Sequence, residues 1–566
     1  PNNPDRIYFA AQYLFVSEDL GDSWRRISPD LTTNDPEKQK QEQSGGLTID
    51  NSTAENHCTI YSIAESPQNE QVIWVGTDDG NLQVTNNGGE TWTNVVVNVP
   101  DLPKNTWVSM IEPGHFDANT AYVTFDGHRT GDKRTYVYKT TDLGKTWTSV
   151  ATDQIEGYAF TVREDLVNPN LLFLGTEFGL WITVDGGQNW ERFTNNMPRV
   201  AVHDMVIHPR DHALVMGTHG RGVIILDDIT PLRQYSDEVK DKTVHFFNTL
   251  PTTLRDPGSC GGWFGGSADF IGPNPNTAAQ IVYYMKKRHT FGKMYVEVWK
   301  DGELLKSLPA GKSAGINIVE MPTSMQKPKA APTKNRIALF STLFGPNLAP
   351  GTYDVKLIKG KDTFTTTFTL QNDPNSPYSE ADRKVQREYT MKLYDMTEQA
   401  AHLYHAYNQI ETQVEAISDV KSKKLKTALA ALAKTAKARK NGMVALEGDG
   451  YVNEGEEIAE RISDTYRQVS SYPGRPSQSQ MDRADLLHEE LQELQAKFDA
   501  LVANELAEIN KRLKKADLSA ITLDSFEDFK AQEITAGGSN NFKQLNKYLE
   551  RSPLGRYWLT HFSRMF

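Results

Sequence analysis

Short apolar segments separated by polar turns recur through the N-terminal part of the chain, in groups that share one pattern. Each complete group opens with an apolar strand, and these first strands are predicted at 59–64, 107–111, 158–162 and 203–207. A second strand with a Gly-Thr-like ending follows each of them, at 72–77, 121–125, 171–176 and 214–218. A third strand comes next. The pattern therefore predicts small antiparallel sheets built from consecutive strands.

An eight-residue motif, Ser/Thr-x-Asp/Asn-x-Gly-x-Ser/Thr/Asn-Trp, follows the third strand in four groups. Its acidic or amide residues and its tryptophans are Asp19, Asn87, Asp142, Asp185, Trp24, Trp92, Trp147 and Trp190. The acidic or amide side chain can accept hydrogen bonds from nearby backbone N–H groups, and the glycine supplies the positive φ of a tight turn. We therefore assign these residues a structural role, in which the tryptophan covers the edge of its sheet. The motif is identified as the Asp-box and resembles the BNR-type repeats of β-propellers, whose blades have about four strands.

The first group lacks the strand that opens the others, because strands at 7–11 and 14–17 lead directly into the first motif. A blade without its inner strand would expose sheet edges and leave the ring open. We therefore expect an upstream part of the same polypeptide to complete this blade and close the ring. The last group, at 202–228, keeps three strands without the motif. Residues 1–236 are thus predicted to form a partial β-propeller of about five blades.

Beyond the repeats the pattern changes twice. Alternating strands separated by Gly/Pro/Asn turns predict an immunoglobulin-like β-sandwich over residues 243–373, with strands at 282–285, 294–299, 336–341, 352–357 and 363–370. Residues 377–515 are rich in Ala, Leu, Lys, Glu and Gln and predict a helical bundle or coiled coil. Its candidate helices run at about 379–416, 418–441, 454–471 and 479–514. A C-terminal helical tail over 516–566 is expected to dock its aromatic end on this bundle.

Several separate stretches resemble the large bacterial sortilin-like propeller proteins, which are often labelled glycosyl hydrolases. The resemblance covers residues 1 to about 375, and the stretches that carry it are 27–39 (ISPDLTTNDPEKQ), 44–67, 72–80 (VIWVGTDDG), 128–147, 162–180, 202–209 and 216–234. It implies export to the periplasm, the cell surface or the extracellular space, with a secretion signal and an N-terminal half-propeller upstream. It also implies a β-domain after the propeller. It implies no particular reaction.

Composition and charge remove several classes of protein. The chain has 566 residues and a formal net charge of −12, so no basic field is present to neutralise a nucleic-acid backbone. No apolar run reaches the length of about 18 residues that a membrane span requires. Cys58 and Cys260 can form at most one disulfide, which excludes a disulfide-rich scaffold. The chain has no nucleotide-binding loop, Cys–His zinc pattern or nucleophile elbow, and we predict no cofactor.

Polar residues concentrate on one predicted face of the propeller, in the loops between second and third strands and at the entries to the inner strands. The predicted ligand-binding residues on this face are His57, His128, Arg129, Asp132, His203, His219 and Arg221, with Glu55 close to the first of them in the chain. Concave polar channel mouths are the usual ligand sites of such folds. Imidazoles are also common metal ligands, but the histidines of this face have no fixed metal-binding spacing, so we predict no metal site.

Carboxylates on the same face leave two interpretations open, and the residues concerned are Asp78, Asp79, Glu177 and Asp204. A glycosidase needs two carboxyl groups about 5–10 Å apart, one of them with a raised pKa, and these residues can supply such a pair. Alternatively, the carboxylates cap turns and form ion pairs with Arg129 and Arg221. A sialidase is disfavoured, because the Arg-Ile-Pro signature of that activity is missing.

These observations favour an exported binding or assembly protein. Its propeller would recognise a peptide, another protein or a glycan at the channel mouth, and the other domains would attach it to a cell-surface complex. Sortilin-like propellers bind peptides in their tunnel, and the resemblance supports this function by analogy of fold. The alternative is a glycoside hydrolase that cleaves polysaccharide with paired carboxylates in the same cleft.

Overall fold

The computed structural model describes residues 2–43, 56–256, 277–446 and 457–532. The chain divides into two compact units. The first comprises Pro1–Thr249, Val282–Arg288 and Ser313–Asn317, and the second comprises Leu250–Ile281, His289–Lys312 and Ile318–Phe566. The first unit is mainly β-structure, whereas the second unit contains β-strands followed by a helical region.

Residues 7–226 of the first unit form five consecutive sheets whose strands follow one another in sequence order. Sheet 1 contains β1 (Ile7–Ala10), β2 (Leu14–Ser17) and β3 (Arg25–Arg26). Sheet 2 contains β4 (Ile60–Glu65), β5 (Ile73–Thr77), β6 (Leu82–Thr85) and β7 (Thr93–Asn94). Sheet 3 contains β8 (Trp107–Pro113), β9 (Ala121–Asp126), β10 (Tyr136–Thr140) and β11 (Thr148–Ser149).

Sheet 4 contains β12 (Ala159–Glu164), β13 (Leu172–Thr176), β14 (Gly179–Thr183) and β15 (Glu191–Arg192). Sheet 5 contains β16 (Val202–Ile207), β17 (Leu214–Thr218) and β18 (Val223–Leu226). All neighbouring strands in these sheets pair antiparallel. Strands β5, β9 and β13 are buried along their whole length, because each lies in a sheet that is covered on both faces.

Separate hydrophobic clusters join each sheet to the next one in the chain. Leu14 and Val16 of sheet 1 pack with Ile73 and Val75 of sheet 2, and equivalent clusters join sheets 2 and 3, 3 and 4, and 4 and 5. The inner strands β4, β8, β12 and β16 also contact one another in that order. Small antiparallel sheets stacked on their inner strands make this part of the chain β-propeller-like.

The motif turns between the third and fourth strands are held by the side chains that the motif specifies. In the first turn, Asp19 accepts hydrogen bonds from the Ser23 backbone at 2.9 Å and from the Ser23 hydroxyl at 2.6 Å. These bonds, with a third from the Ser17 hydroxyl, lower the pKa of Asp19 to about 2. The same positions bond in the other turns, where Asn87, Asp142 and Asp185 are the acceptors.

Two motif tryptophans anchor their own sheet to the preceding one rather than only covering an edge. Trp92 Nε1 donates to the Ile27 carbonyl at 3.0 Å, and Trp190 Nε1 donates to the Val150 carbonyl at 2.8 Å. Gly89, at φ +97°, lets its turn lie close to the same carbonyl, because a Cβ at this position would lie 2.5 Å from the Ile27 carbonyl oxygen. Trp147 packs edge-on against Trp74 of sheet 2, with ring centroids 6.0 Å apart, and Trp24 of sheet 1 packs on Phe9 of its own sheet. The motif thus links adjacent sheets as well as shaping turns.

After sheet 5, α1 (Thr230–Gln234) and α2 (Asp237–Asp241) lead to β19 (Val244–Phe246). Arg233 of α1 binds Asp165, next to β12, at 2.8 Å, and both side chains are buried. The second unit begins with β20 (Thr252–Leu254). The last residues of β21 (Ala279–Met285), Tyr283 to Met285, belong to the first unit and pair there with β19.

The next strands are β22 (Met294–Lys300), β23 (Glu303–Pro309), β24 (Gly315–Met321), β25 (Gly351–Lys359) and β26 (Asp362–Asn372). A five-stranded sheet with the order β20-β26-β25-β22-β23 dominates the β-structure of the second unit, and β24 lies outside this sheet. The strand predicted at 336–341 is wrong, because α3 (Arg336–Ser341) is a helix. The Asn335 side chain caps it by accepting from the Ala338 N–H at 3.1 Å, and α3 packs on helix Ile458–Ser470. The immunoglobulin-like topology stays a prediction.

The helical region contains α4 (Glu380–Ala416), α5 (Lys423–Asn441), α6 (Ile458–Ser470), α7 (Gln478–Leu501), α8 (Ala507–Lys515) and α9 (Phe526–Ala531). A π-helical segment at Val502–Leu506 joins α7 to α8. Ser379 caps α4, and Ser477 with Gln480 forms a capping box on α7. Leucines and tyrosines of α4 to α8 share one hydrophobic core. Among the helices of the described ranges, none combines the length and the apolar character that crossing a bilayer requires. The aromatic end predicted to dock on the bundle lies outside the described residues.

Candidate functional site

The inner strands of sheets 2 to 5 each contain a β-bulge near their first residue. The pairing register shifts at Tyr61 in β4, Ser109 in β8, Phe160 in β12 and His203 in β16. A bulge redirects the side chain that it carries and ends regular pairing locally. Four equivalent bulges therefore present four side chains at the same end of neighbouring inner strands.

The loops between second and third strands lie at this same end. Backbone N–H groups of Asp78, Glu177 and His219, each the first residue after a second strand, donate to the carbonyls of the residues that precede the inner strands. The three distances are 3.0, 3.1 and 2.9 Å, to Thr59, Tyr158 and Ala201 respectively. The chain thus brings together the two sets of segments that carry most of the predicted ligand-binding residues.

Rings from four sheets, with one guanidinium among them, form a nearly continuous row at this end, which we call the aromatic row. Its members are Tyr61, Trp107, His128, Arg129, Tyr158, Phe160, His203 and His219. Tyr61 meets Trp107 edge-on at 4.8 Å, and the Arg129 guanidinium lies 4.0 Å from the Trp107 ring centroid. His128 stacks on Tyr158 at 4.5 Å with an interplanar angle of 14°.

The row continues into sheets 4 and 5. Tyr158 meets Phe160 edge-on at 5.0 Å, and Phe160 stacks on His203 at 4.0 Å. His203 then meets His219 edge-on at 5.3 Å. Tyr61 is 60% exposed, Arg129, His203 and His219 are also exposed, and the remaining members are half-buried. An apolar surface of this kind, with cationic and imidazole groups among its rings, can hold a ligand by both packing and polar contacts.

Two histidines of the row have defined electrostatic surroundings. His128 Nδ1 lies 2.6 Å from Asp126 Oδ2, and the same carboxylate accepts from the His128 backbone at 2.9 Å. This fixes the ring against Tyr158. Although His203 reaches solvent, its partial burial and the neighbouring His219 ring lower the pKa of its imidazole below the usual value, so the neutral form is favoured.

The other predicted ligand-binding residues are placed differently. His57 Nδ1 lies 3.6 Å from Asp78, and Arg221 is exposed in the turn between β17 and β18. Asp132 binds Arg134 at 2.7 Å and accepts from the Tyr136 hydroxyl at 2.7 Å, and the Arg134 contact holds the pKa of this carboxyl well below its usual range. Asp132 therefore organises its own loop. Glu55 and Cys260 lie outside the described residues, and Cys58 is a buried thiol beside Thr33.

Of the four candidate carboxylates, Asp78 and Asp79 accept hydrogen bonds from backbone N–H groups of other segments of the chain. Asp78 accepts from the Thr59 N–H at 2.7 Å, and burial raises the pKa of this carboxyl. Asp79 is buried and accepts from the Thr33 backbone and hydroxyl at 2.7 and 2.6 Å. Burial alone would raise the pKa of Asp79, but the hydrogen bonds from Thr33 and Thr77 more than offset it and lower the value.

The ion pairs expected with Arg129 and Arg221 are wrong for Asp204. This residue accepts from Arg163 Nη2 at 3.1 Å, because the bulge at His203 turns it along β16 towards β12. Arg129 lies on Trp107 instead. Glu177 is half-buried in the loop after β13.

A second set of carboxylates, not predicted from the sequence, lies where the inner strands end. Tyr8 donates to Glu65 at 2.7 Å, Tyr122 donates to Glu164 at 3.3 Å, and Arg163 binds Glu112 at 2.7 Å. All three glutamates are buried. The motif turns lie at this end too, since the Gly88 and Gly186 N–H groups donate to carbonyls of the loops that follow the inner strands. We call this the carboxylate end, and the opposite one the aromatic end.

Tyr61, Trp107, Tyr158 and Phe160 belong to the row but were not singled out in the sequence. The signal that could have found two of them is the alignment of the repeats. It places Tyr61, Ser109, Phe160 and His203 at one position of the inner strand, where an exposed or half-buried polar or aromatic side chain interrupts the apolar pattern. In the described part of the chain, no group of three or more His, Cys, Asp or Glu side chains could hold a metal ion.

No family model and no curated protein matches the chain. Among solved structures, it is similar to an ancestral GH74 enzyme, with 13% identity over 66% of this chain and 45% of that chain and a TM-score of 0.30. It is also similar to the GH74 xyloglucanase from Xanthomonas campestris, with 17% identity, 40% and 36% coverage and a TM-score of 0.31. A third match is YCF48 bound to D1 peptide, with 18% identity, 28% and 46% coverage and a TM-score of 0.22.

The chain spans less than half the length of each of these three structures. The β-propeller-like fold is carried by the strand order and sheet packing of the chain itself.

Proposed function

We propose that the first unit is a binding module that holds a peptide segment of a partner protein against the aromatic row. The observation that carries this proposal is the nearly continuous line of rings from Tyr61 to His219, built on equivalent bulges and reaching solvent. Aromatic side chains offer large contact areas at low cost in conformational entropy, which suits recognition of protein segments.

The orientation of the rings favours a peptide over a glycan. A sugar ring stacks on the open face of an aromatic ring, and in the row one face of several rings is already covered. Arg129 covers Trp107, His128 covers Tyr158, and His203 covers Phe160. What remains is a set of edges and partly open faces at varied angles, which fits side chains better than a planar stack of sugars.

We further propose that the chain is an exported sortilin-like protein with Asp-box turns, and that it forms part of a cell-surface complex. The sequence stretches described above support this, as do the four turns in which an acidic or amide side chain accepts the same backbone hydrogen bond. Immunodetection of the endogenous protein after cell fractionation tests the location. Recovery only with the cytoplasmic fraction would contradict it.

The test of the binding function starts from a peptide library selected against the full chain. Binding of a selected peptide is then compared between the wild type and Tyr61→Ala, with Phe116→Ala as the matched control, because Phe116 is 45% exposed at the carboxylate end. We expect Tyr61→Ala to weaken binding by about tenfold or more and Phe116→Ala to leave it within about twofold. Equal effects of the two substitutions, or no peptide enriched above background, would contradict the proposal.

A glycoside hydrolase is the second candidate, because Asp78 and Asp79 are adjacent carboxylates in the loop after β5, and burial and the Asp79 charge raise the pKa of Asp78, the direction that a general acid requires. The hydrogen bonds that hold Asp79 and Asp204 argue for structural roles of these two residues. Glycan hydrolysis by the wild type that is lost in Asp78→Asn, with folding retained, would favour the enzyme. Hydrolysis that persists in Asp78→Asn would remove this residue from any catalytic role.

A further inference from the structure

The second unit contains a cavity of about 520 Å³ where the β-structure meets the first turns of α4. Its walls come from the segments 254–256 and 346–350, from the end of β26, from α4 and from the end of α6. The volume lies within the range of about 300–1,000 Å³ that is typical of small-molecule sites. Leu254, Leu348 and three prolines supply an apolar part of the wall.

Basic side chains dominate the polar part of this cavity. Its four cations are Arg255, Arg383, Lys384 and Arg387, and its two carboxylates are Asp256 and Glu380. The excess of positive charge stands against a formal net charge of −12 for the whole chain. We call the site the arginine cavity.

Both carboxylates of the arginine cavity are already engaged. Asp256 accepts from Arg383 at 2.5 Å and from the Ser376 hydroxyl at 2.6 Å. Glu380 accepts from the Asn372 amide at 2.8 and 2.9 Å. Arg255, Lys384 and Arg387 form no ion pair within 4.0 Å with any carboxylate of the described ranges. A surplus of cationic groups thus faces the cavity.

Arg387 is the central member of this surplus. It is half-buried, its Nη1 donates to the Asn347 carbonyl, and burial lowers the pKa of its guanidinium. A half-buried cation without a carboxylate partner is partly desolvated at a cost, and an anion in the cavity would offset that cost. Arg383 also lines the cavity, and its Nε is buried and has no acceptor within the part of the chain that the structure describes.

We propose that the arginine cavity binds a small organic anion, with a carboxylate or phosphate group held by Arg387 and Arg383 and an apolar body against Leu254 and Leu348. The paired N–H donors of a guanidinium match the geometry of a carboxylate and of a phosphate, so ligands that carry either group can bind in the same way. This site is independent of the aromatic row, and either proposal can fail without the other.

Benzoate and phenyl phosphate test the two sources, with neutral benzamide and benzyl alcohol as controls of similar shape. We expect at least one anion at about 10 mM to raise the Tm of the full chain, and the neutral analogues to leave it unchanged. Isothermal titration then compares the wild type with Arg387→Met and with Arg439→Met, an exposed arginine on α5. Arg387→Met is expected to weaken binding by about tenfold or more, and Arg439→Met by less than about twofold.

The Tm of Arg387→Met measured without ligand distinguishes an arginine that binds the anion from one that only stabilises the fold. Removing a half-buried cation that has no carboxylate partner is expected to leave the Tm of Arg387→Met equal to or above that of the wild type, while the anion-induced rise is lost. Equal effects of neutral and charged analogues, no response to either anion, or equal losses in Arg387→Met and Arg439→Met would each overturn the proposal. A preference for benzoate or for phenyl phosphate identifies the oxyanion.

Discussion

The two ends of the inner strands use polar and aromatic residues in opposite ways. At the carboxylate end, Glu65, Glu112 and Glu164 are buried, and each is hydrogen-bonded to a residue of a neighbouring strand or sheet. At the aromatic end, bulges turn side chains such as Tyr61 and His203 towards solvent. The same strands therefore contribute to sheet packing at one end and to a candidate binding surface at the other. Substitutions at the first end should change stability, and substitutions at the second should change binding.

The largest expected effect is that of Trp190→Ala at the carboxylate end. Trp190 is 1% exposed, and its indole N–H reaches the Val150 carbonyl of the preceding sheet. Removing it should lower the free energy of unfolding by about 3–5 kcal/mol, as measured by urea denaturation. Trp24→Ala is the control, because Trp24 occupies the same motif position but is 45% exposed, and its loss should cost under about 1 kcal/mol. If the two substitutions lowered the free energy of unfolding equally, the contact of Trp190 with the preceding sheet would not be the source of the stabilisation.

The next effect concerns the ion pair between Arg163 and Glu112. Arg163→Met leaves the buried Glu112 carboxylate without its guanidinium partner and should lower the free energy of unfolding by about 3 kcal/mol. The double variant Arg163→Met/Glu112→Gln should recover part of that loss, because the side chain that keeps only the His115 ring as a cationic partner is then uncharged. Arg129→Met at the aromatic end should cost under about 1 kcal/mol. If Arg129→Met proved as destabilising as Arg163→Met, the contrast between the two ends would fail.

The smallest effect is a pH effect at the aromatic end. Because burial and His219 lower the pKa of His203, an NMR titration should give a midpoint below the usual value of about 6.5. The stability that the neutral ring contributes is therefore present above about pH 6.5 and lost as the pH falls through the folded-state pKa. His219→Ala should move the midpoint upwards, whereas His208→Ala, at the opposite end of β16, should not. Asp126 and His128 also act on this ring, in opposite directions, and remain in both variants.

Repeating local patterns predicted most of the secondary structure. The second strands of sheets 2 to 5 lie within a residue of their predicted positions, since buried β-branched runs bounded by turns are a local signal. Helix α4 was predicted at 379–416 and is found at Glu380–Ala416, because a long amphipathic run preceded by a capping serine is equally local. The segment 336–341 was misassigned because its apolar run is short, and at that length periodicity does not separate a strand from a helix.

The candidate site was only partly accessible from the sequence. His128, Arg129, His203 and His219 were predicted as ligand-binding residues from their loops and from the entry to an inner strand, and the structure places them in the aromatic row. Their ligand-binding role stays a prediction. Tyr158 and Phe160 were assigned only as strand residues, because their exposure depends on a bulge and on rings supplied by neighbouring sheets. The pairing of Asp204 with Arg163 depends on the same bulged register. Such contacts between sheets are set by tertiary packing, which no single repeat contains.

The hydrophobic clusters have a consequence for cooperativity, because each one joins only sheets that are neighbours in the chain. The free energy of such an array approximates a sum of one intrinsic contribution per sheet and one contribution per junction, as in a linear Ising chain. Sheets 2, 3 and 4 each contribute to two of these clusters, one with the preceding sheet and one with the following sheet. Their amide protons should therefore exchange with deuterium most slowly, with β9 and β13 among the slowest strands. Within residues 7–226, local opening would then pass from one sheet to its neighbour one junction at a time.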